Sequence, residues 1–194
     1  YGELHGQEVK VADLPPHLPR AVIAIEDRRF YEHGGIDLWG VARAIFVNVT
    51  SGSLREGAST ITQQLARNLL LSHERSFARK AREALLALEL ERRFAKDQIL
   101  TIYLNRVYFG GGAYGVDAAA RRYFGKPASE VNLAEAAMLA GLLKAPSHYA
   151  PTRDLKAARE RAQVVLAGMK DAGFLNDETT AKALASPAGL GQAR

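Results

Sequence analysis

No cysteine occurs in the 194 residues, which excludes a disulfide framework, a thiolate metal site and a cysteine nucleophile. An extracytoplasmic location stays open, because exported domains need no disulfide. Long apolar runs are missing too. The best of them, Ala134–Leu143 and Ala84–Leu90, fall short of the roughly 18 residues a spanning helix needs and carry Glu135 or Glu89. Nothing between Tyr1 and Asp13 resembles a signal peptide. Compositional extremes are also absent: 47% hydrophobic and 24% charged residues exclude disorder and fibrous repeats. The chain reads as a soluble piece of a longer protein, since it starts without Met and trails off over Ser186–Arg194. It is long enough to bury a core as one domain over residues 1–194. The formal net charge of +5 favours anionic partners: nucleic acid, an acidic membrane surface or a phosphate-bearing substrate.

What is present is helical period. After a Pro-rich lead-in ending at Leu14-Pro15-Pro16-His17-Leu18-Pro19, which reads as extended or hairpin-like and then a turn, the apolar spacing predicts nine helices. They cover Ala21–Tyr31, Leu38–Val49, Thr60–Leu71, Ser76–Phe94, Lys96–Val107, Tyr114–Phe124, Asn132–Leu143, Asp154–Ala172 and Asp177–Leu184. Thr60-x-x-Gln63 and Asn132-x-x-Glu135 have capping-box spacing, Asp154 and Asp177 suit N-caps, and Gly173 suits a C-terminal stop. The fold class is mainly α.

Four segments could carry chemistry. In the first, the apolar run Ala21–Ile25 leads into Glu26, Asp27, Phe30 and His33. On a continuous helix Glu26, Phe30 and His33 share a face, and a carboxylate desolvated beside an aromatic makes a general base. As structure alone, Glu26 is a solvated helix end paired with Arg28 or Arg29. In the second, a helix starting at Thr60 leaves unpaired N–H groups beside Ser59, Gln63 and Gln64, with Arg67 and Asn68 a turn on. That end could receive an anion or a sugar, or simply be well capped. In the third, Glu83 falls on the apolar stripe of Leu86, Ala87, Leu90 and Phe94, with Arg75, Arg79 and Lys80 before it. The plain reading is an intrahelical Arg79–Glu83 pair worth about 0.3–0.5 kcal/mol; the functional one is a phosphate or metal–phosphate site. The fourth, Ile99–Asn105, is core helix with Tyr103 and Asn105 as hydrogen-bonding anchors.

Taken in order, Glu26-Asp-x-x-Phe30-x-x-His33-x-Gly35, Gly57-x-Ser59-Thr60-Ile61-Thr62-Gln63-Gln64, Arg79-Lys80-x-x-Glu83 and Ile99-Leu100-x-x-Tyr103-Leu104-Asn105 resemble the peptidoglycan glycosyltransferases of glycosyltransferase family 51. The likeness runs from about Leu14 to Pro151. It implies a lysozyme-like helical lobe with a smaller membrane-touching jaw, here roughly residues 38–57. It implies polymerisation of lipid II into glycan strands with inversion, at the outer (periplasmic) face of the inner membrane, held by an anchor outside this sequence. Carried over by position, Glu26 is the catalytic base and Glu83 the second catalytic carboxylate. Asp27, Phe30, His33, Arg43, Ser59, Thr60, Gln63, Gln64, Arg67, Asn68, Arg75, Arg79 and Lys80 are the substrate-binding set. No organic cofactor is implied; Glu83 would either orient the basic cluster or bind a divalent cation (magnesium or manganese). Implied partners are lipid II, the growing glycan strand, an anionic membrane surface and other cell-wall synthesis proteins. Two positions depart from the family pattern: Arg67, where Lys is usual, and Thr101, where Glu is usual, so no role is carried to Thr101.

The stretch Ala140–Ser147 is similar to that of bifunctional class A penicillin-binding proteins, although the transpeptidase motifs Ser-x-x-Lys and Lys-Thr-Gly do not occur. Two rivals share some features. A lytic glycan hydrolase would use the same carboxylates on finished strands. A nucleic-acid module is suggested by Arg28-Arg29, Arg92-Arg93 and Arg121-Arg122, but these pairs are scattered and poorly interleaved with aromatics, so no nucleic-acid partner is expected.

Overall fold

A computed structural model describes residues 4–52, 59–70 and 76–191. Among them the chain is mostly helical with almost no strand, as its periodicity predicts. Its contacts divide into two compact units. One comprises Tyr1–Arg28 with Leu100–Arg194, the other Arg29–Ile99.

The first unit is built around α7 (Leu133–Leu142), whose residues from Ala134 to Leu142 are all buried. Against it pack α1 (His17–Glu26) and α9 (Leu155–Asp171). A helix apolar on every side must be enclosed, and small residues such as Ala136, Ala137 and Ala140 let its neighbours approach. Leu18, Ala21 and Val22 of α1 and Val165, Leu166 and Met169 of α9 complete this core. Local chemistry sets the ends. Asn132 and Glu135 form a complete capping box on α7. Gly173, at φ +81°, reverses the chain after α9 in the left-handed conformation that glycine adopts without penalty. The Phe174 N–H then reaches back to Met169 O at 2.9 Å and the Gly173 N–H to Lys170 O at 3.0 Å, a Schellman ending. This unit also holds α6 (Val116–Phe124), α8 (Pro146–Tyr149) and α10 (Asp177–Ala185), the last capped by Asn176 rather than Asp177.

Two of the expected elements in this unit change. The first helix begins at His17, because Pro19 falls in its first turn, where no N–H is needed. It also ends at Glu26, five residues before Tyr31, with Asp27 at φ −161°. Glu26, Phe30 and His33 therefore do not lie on one helical face. Tyr114 belongs not to a helix but to β2 (Ala113–Tyr114), which pairs in parallel with β1 (Leu4–His5).

The lead-in after β1 is pinned at alternate residues, as an extended segment allows. The N–H groups of Gln7, Val9 and Val11 donate to Asp117 Oδ2 (2.8 Å), Asn105 Oδ1 (2.9 Å) and Thr101 Oγ1 (3.2 Å), and Asn105 Nδ2 returns a bond to Val9 O at 2.8 Å. Asp117 is buried and also accepts from Ala128 N (3.0 Å) and Arg121 Nε (2.8 Å). Burial works against its charge, but these donors outweigh it and hold the carboxyl below its ordinary value. Such a group contributes stability above its unfolded pKa and loses it as pH falls through the folded one. Asp117→Asn should accordingly cost about 2–3 kcal/mol near neutral pH. Urea denaturation of both chains at pH 7 and in acid should show the gap closing in acid; a gap independent of pH would refute the assignment.

The second unit holds α2 (Leu38–Ser51), α3 (Ile61–Leu70), α4 (Phe77–Arg93) and the start of α5 (Lys96–Arg106). Its core is α3 against α4, through Ile61, Leu65, Ala66, Ala87 and Leu90. Helix α2 is capped by Asp37, which accepts from Gly40 N, and extends two residues past the expected Val49. It buries only Ala44, leaving Leu38, Trp39, Ile45, Phe46 and Val49 exposed. Phe77, Leu85 and Leu88 are exposed on α4. No helix among the described residues is long and apolar enough to cross a membrane.

Candidate active site

Glu26 is the last residue of α1 and is half-buried. The C-terminal end of a helix is the negative end of its dipole, so helix stability does not favour a carboxylate there. Asp27 follows it and is buried at 8% exposure. Both lie near the hydroxyl of Tyr103 on α5, itself wholly buried. Desolvation, then the charges of Glu26 and Asp27, push that phenol far above its ordinary pKa. Tyr103 stays a neutral O–H among two carboxylates, a polar anchor as its place in an apolar helix suggests.

In the second unit the chain from Phe30 to Gly35 is tightly held. Phe30 has no exposed surface, so its part is packing. Its ring meets Tyr31 and His33 edge-on at centroid distances of 5.1 and 6.2 Å. His33 is buried, and its Nδ1 accepts from Gly35 N at 3.1 Å. Gly35 sits at φ +99°, where a Cβ would come within 2.9 Å of Glu91 Cγ. Its carbonyl accepts from Thr60 Oγ1 at 2.6 Å. Thr60 in turn heads α3 through the predicted capping box, with Gln63 N donating to its Oγ1 (3.0 Å) and Thr60 N to Gln63 Oε1 (2.8 Å). The hydroxyl and carboxamide of this box are committed to the protein; half-buried Gln64 and Asn68 continue along the same helix.

Glu83 is the most deeply placed carboxylate among the described residues of this unit, at 3% exposure. Three cations surround it. Arg67 Nε lies 2.9 Å from Oε1, Arg79 Nε 3.6 Å from Oε1, and Lys80 Nζ 3.6 Å from Oε2. The shortest contact is not the expected intrahelical one but comes from α3, and Arg67 Nη2 also reaches Ser59 Oγ at 3.4 Å. A guanidinium bridges two partners in this way where an ammonium offers a single point of charge, which gives the Arg67 departure a physical use. Among the described residues the cluster carries three positive charges against one buried negative charge, and Arg67 and Lys80 are exposed. With an excess of positive charge of this kind, it can receive an anion.

It is not shaped to hold a metal. Both oxygens of Glu83 already face cations, and among the described residues no three His, Asp or Glu side chains gather. A resident magnesium or manganese ion does not fit this donor set. Arg43 lies exposed on α2. Arg75 and the Gly57 end of the motif lie outside the described residues. Reading the sequence assigned no role to Thr62, Glu91 or Lys96: Thr62 Oγ1 donates to Glu91 Oε1 at 2.8 Å, and Lys96 Nζ approaches the same oxygen at 2.6 Å. Their one visible signal was a charge pair flanking the break between α4 and α5.

Comparison with known proteins gives one consistent result. The family model described as Transglycosylase matches residues 2–170. Penicillin-binding protein 1A of Neisseria flavescens is 50% identical over 184 residues, 95% of this chain and 23% of that protein. Penicillin-binding protein 1A of Haemophilus influenzae is 50% identical over 186 residues, 96% of this chain and 22% of that one. A crystal structure of penicillin-binding protein 1A from Haemophilus influenzae superposes with a TM-score of 0.60 and 29% identity over the superposed residues, covering 98% of this chain and 19% of that chain. The chain thus spans about a fifth of these relatives' length.

Proposed function

This chain belongs to the transglycosylase family, and from that premise we propose that it polymerises lipid II into peptidoglycan strands. One observation supports this above the others: a buried carboxylate, Glu83, organises Arg67, Arg79 and Lys80 into an anion-receiving cluster beside the capped start of α3. Lipid II carries its sugar α-linked to pyrophosphate and the new bond is β. A single in-line displacement meets that requirement. The 4-hydroxyl oxygen of the acceptor attacks C1, the C1–O bond to pyrophosphate breaks, and the hydroxyl proton passes to Glu26. Undecaprenyl pyrophosphate leaves as an anion, so the leaving group needs positive charge more than a proton. Preorganised donors of this kind act where charge develops and need no reorganisation during the reaction. Glu83 holds them in place.

The substrate's lipid tail sets the location: the outer face of the cytoplasmic membrane. Helix α2, with its row of exposed apolar side chains, and the exposed Phe77, Leu85 and Leu88 of α4 are the surfaces that would lie against it, aided by the chain's positive charge. Here α2 plays the part of the jaw. The test is incubation of the protein with lipid II in anionic vesicles and, separately, with purified glycan strands. Conversion of lipid II to polymer with the finished strands left intact is the expected result. Shortening of the strands without any polymer would make this a lytic enzyme.

A further inference from the structure

The second unit contains a half-buried ion pair that no step above employs. Lys96 is the first residue of α5, the positive end of a helix dipole, where a cation is disfavoured. Yet its side chain is only 19% exposed, its Nζ lies 2.6 Å from Glu91 Oε1, and Glu91 is 12% exposed. The same ammonium sits 4.6 Å from the centroid of the Phe30 ring, a cation–π distance. Glu91 Oε1 also accepts from Thr62 Oγ1 on α3. Its Cγ fills the place a Cβ on Gly35 would need, and Gly35 O takes the hydroxyl of Thr60.

Two groups thus reach the Phe30–Gly35 segment and α3 from α4 and α5 within this unit. Lys96 holds the Phe30–His33 segment from above its aromatic ring. Glu91 holds Gly35 and the first turn of α3. We propose that Glu91 and Lys96 are positioning residues, which fix the Phe30–Gly35 segment against the Thr60–Gln64 end of α3 in the geometry catalysis requires. Neither need touch substrate. The proposal rests on the polymerase reading for its effect on rate, but its structural content is independent of it.

The test uses Lys96→Met, Lys96→Arg and Glu91→Gln in the full-length protein. Methionine keeps the length and packing of lysine without the charge; arginine keeps the charge and the affinity for an aromatic face. Small misplacements remote from the chemistry can cost about 10²-fold. Lys96→Met is therefore expected to lower kcat with lipid II about 10²-fold at a KM within about threefold of the parent, with the thermal midpoint of folding preserved. Lys96→Arg should restore most of the rate. Amide hydrogen exchange, which needs no substrate, should rise at Gly35 and Gln63 in Lys96→Met and Glu91→Gln but not in Lys96→Arg. Parental kcat in folded Lys96→Met, or Arg as damaging as Met, overturns the proposal, as does unchanged exchange at both amides. An unmutated protein that makes no polymer overturns the enzymatic reading instead, and the exchange data then judge the network alone. Should Lys96→Met fail to fold, Glu91→Gln with the same two readouts decides.

Discussion

Replacing Glu26 by glutamine should lower lipid II turnover about 10²–10⁴-fold, the range a positioned general base contributes, equivalent to roughly 3–5.5 kcal/mol of barrier. The variant keeps size and hydrogen-bonding capacity but cannot accept the acceptor's proton. Folding should not suffer. The buried face of α1 is made by Leu18, Ala21, Val22, Ile23 and Ala24, and removing a carboxylate from the negative end of a helix dipole relieves about 0.3–1 kcal/mol. A thermal midpoint equal to or above the parent's, together with collapsed polymerisation, is the pattern expected of a catalytic group. Near-parental polymer formation by well-folded Glu26→Gln would remove the base assignment.

Glu83→Gln carries the second large effect, through a different route. The carboxylate does not face the reacting sugar in this scheme; it holds Arg67, Arg79 and Lys80 together. An amide cannot neutralise them, so they repel and turn outward, and the stabilisation of the departing pyrophosphate is lost. Removal of one preorganised donor in other enzymes costs about 10²–10³ in kcat, and dispersal of a three-cation set should reach at least that. The stability cost is smaller than for a sealed ion pair. Arg67 and Lys80 are 42% and 62% exposed and can rehydrate, so about 1–3 kcal/mol is expected rather than the 3–5 of a fully buried pair. Steady-state kinetics with lipid II, alongside chemical denaturation, separates the two effects. A folded Glu83→Gln protein with kcat within tenfold of the parent would show that the cluster does not serve the leaving group.

What the sequence disclosed followed the range of the interactions involved. Capping boxes at Thr60/Gln63 and Asn132/Glu135 and the stop at Gly173 were legible because three or four neighbouring residues suffice to make them. Glu83 was legible as inward-facing because its apolar stripe repeats along one helix. By contrast, the end of α1 at Glu26 has no local marker: Arg28-Arg29-Phe30-Tyr31 is helix-competent, yet Asp27 leaves the helix at φ −161° and is buried. The Arg67–Glu83 contact spans sixteen positions and two helices, so no spacing rule predicts it. For the same reason the sequence assigns no role to Glu91 and Lys96, and marks Thr62 only as a position within a motif. Each is unremarkable within its own helix and acquires meaning only where α3, α4 and α5 converge. Thr101, left without a role, proved to accept a backbone N–H from the lead-in, a use that serves architecture rather than chemistry.

The discontinuity of the first unit also governs how the polypeptide can acquire its shape during synthesis. Helix α1 packs against α7 and α9, which leave the ribosome only after the whole of Arg29–Ile99. The interposed unit, whose core is the sequence-local pair α3 and α4, has all its parts at hand first. Until translation reaches α9, part of the oily flank of α1 waits uncovered.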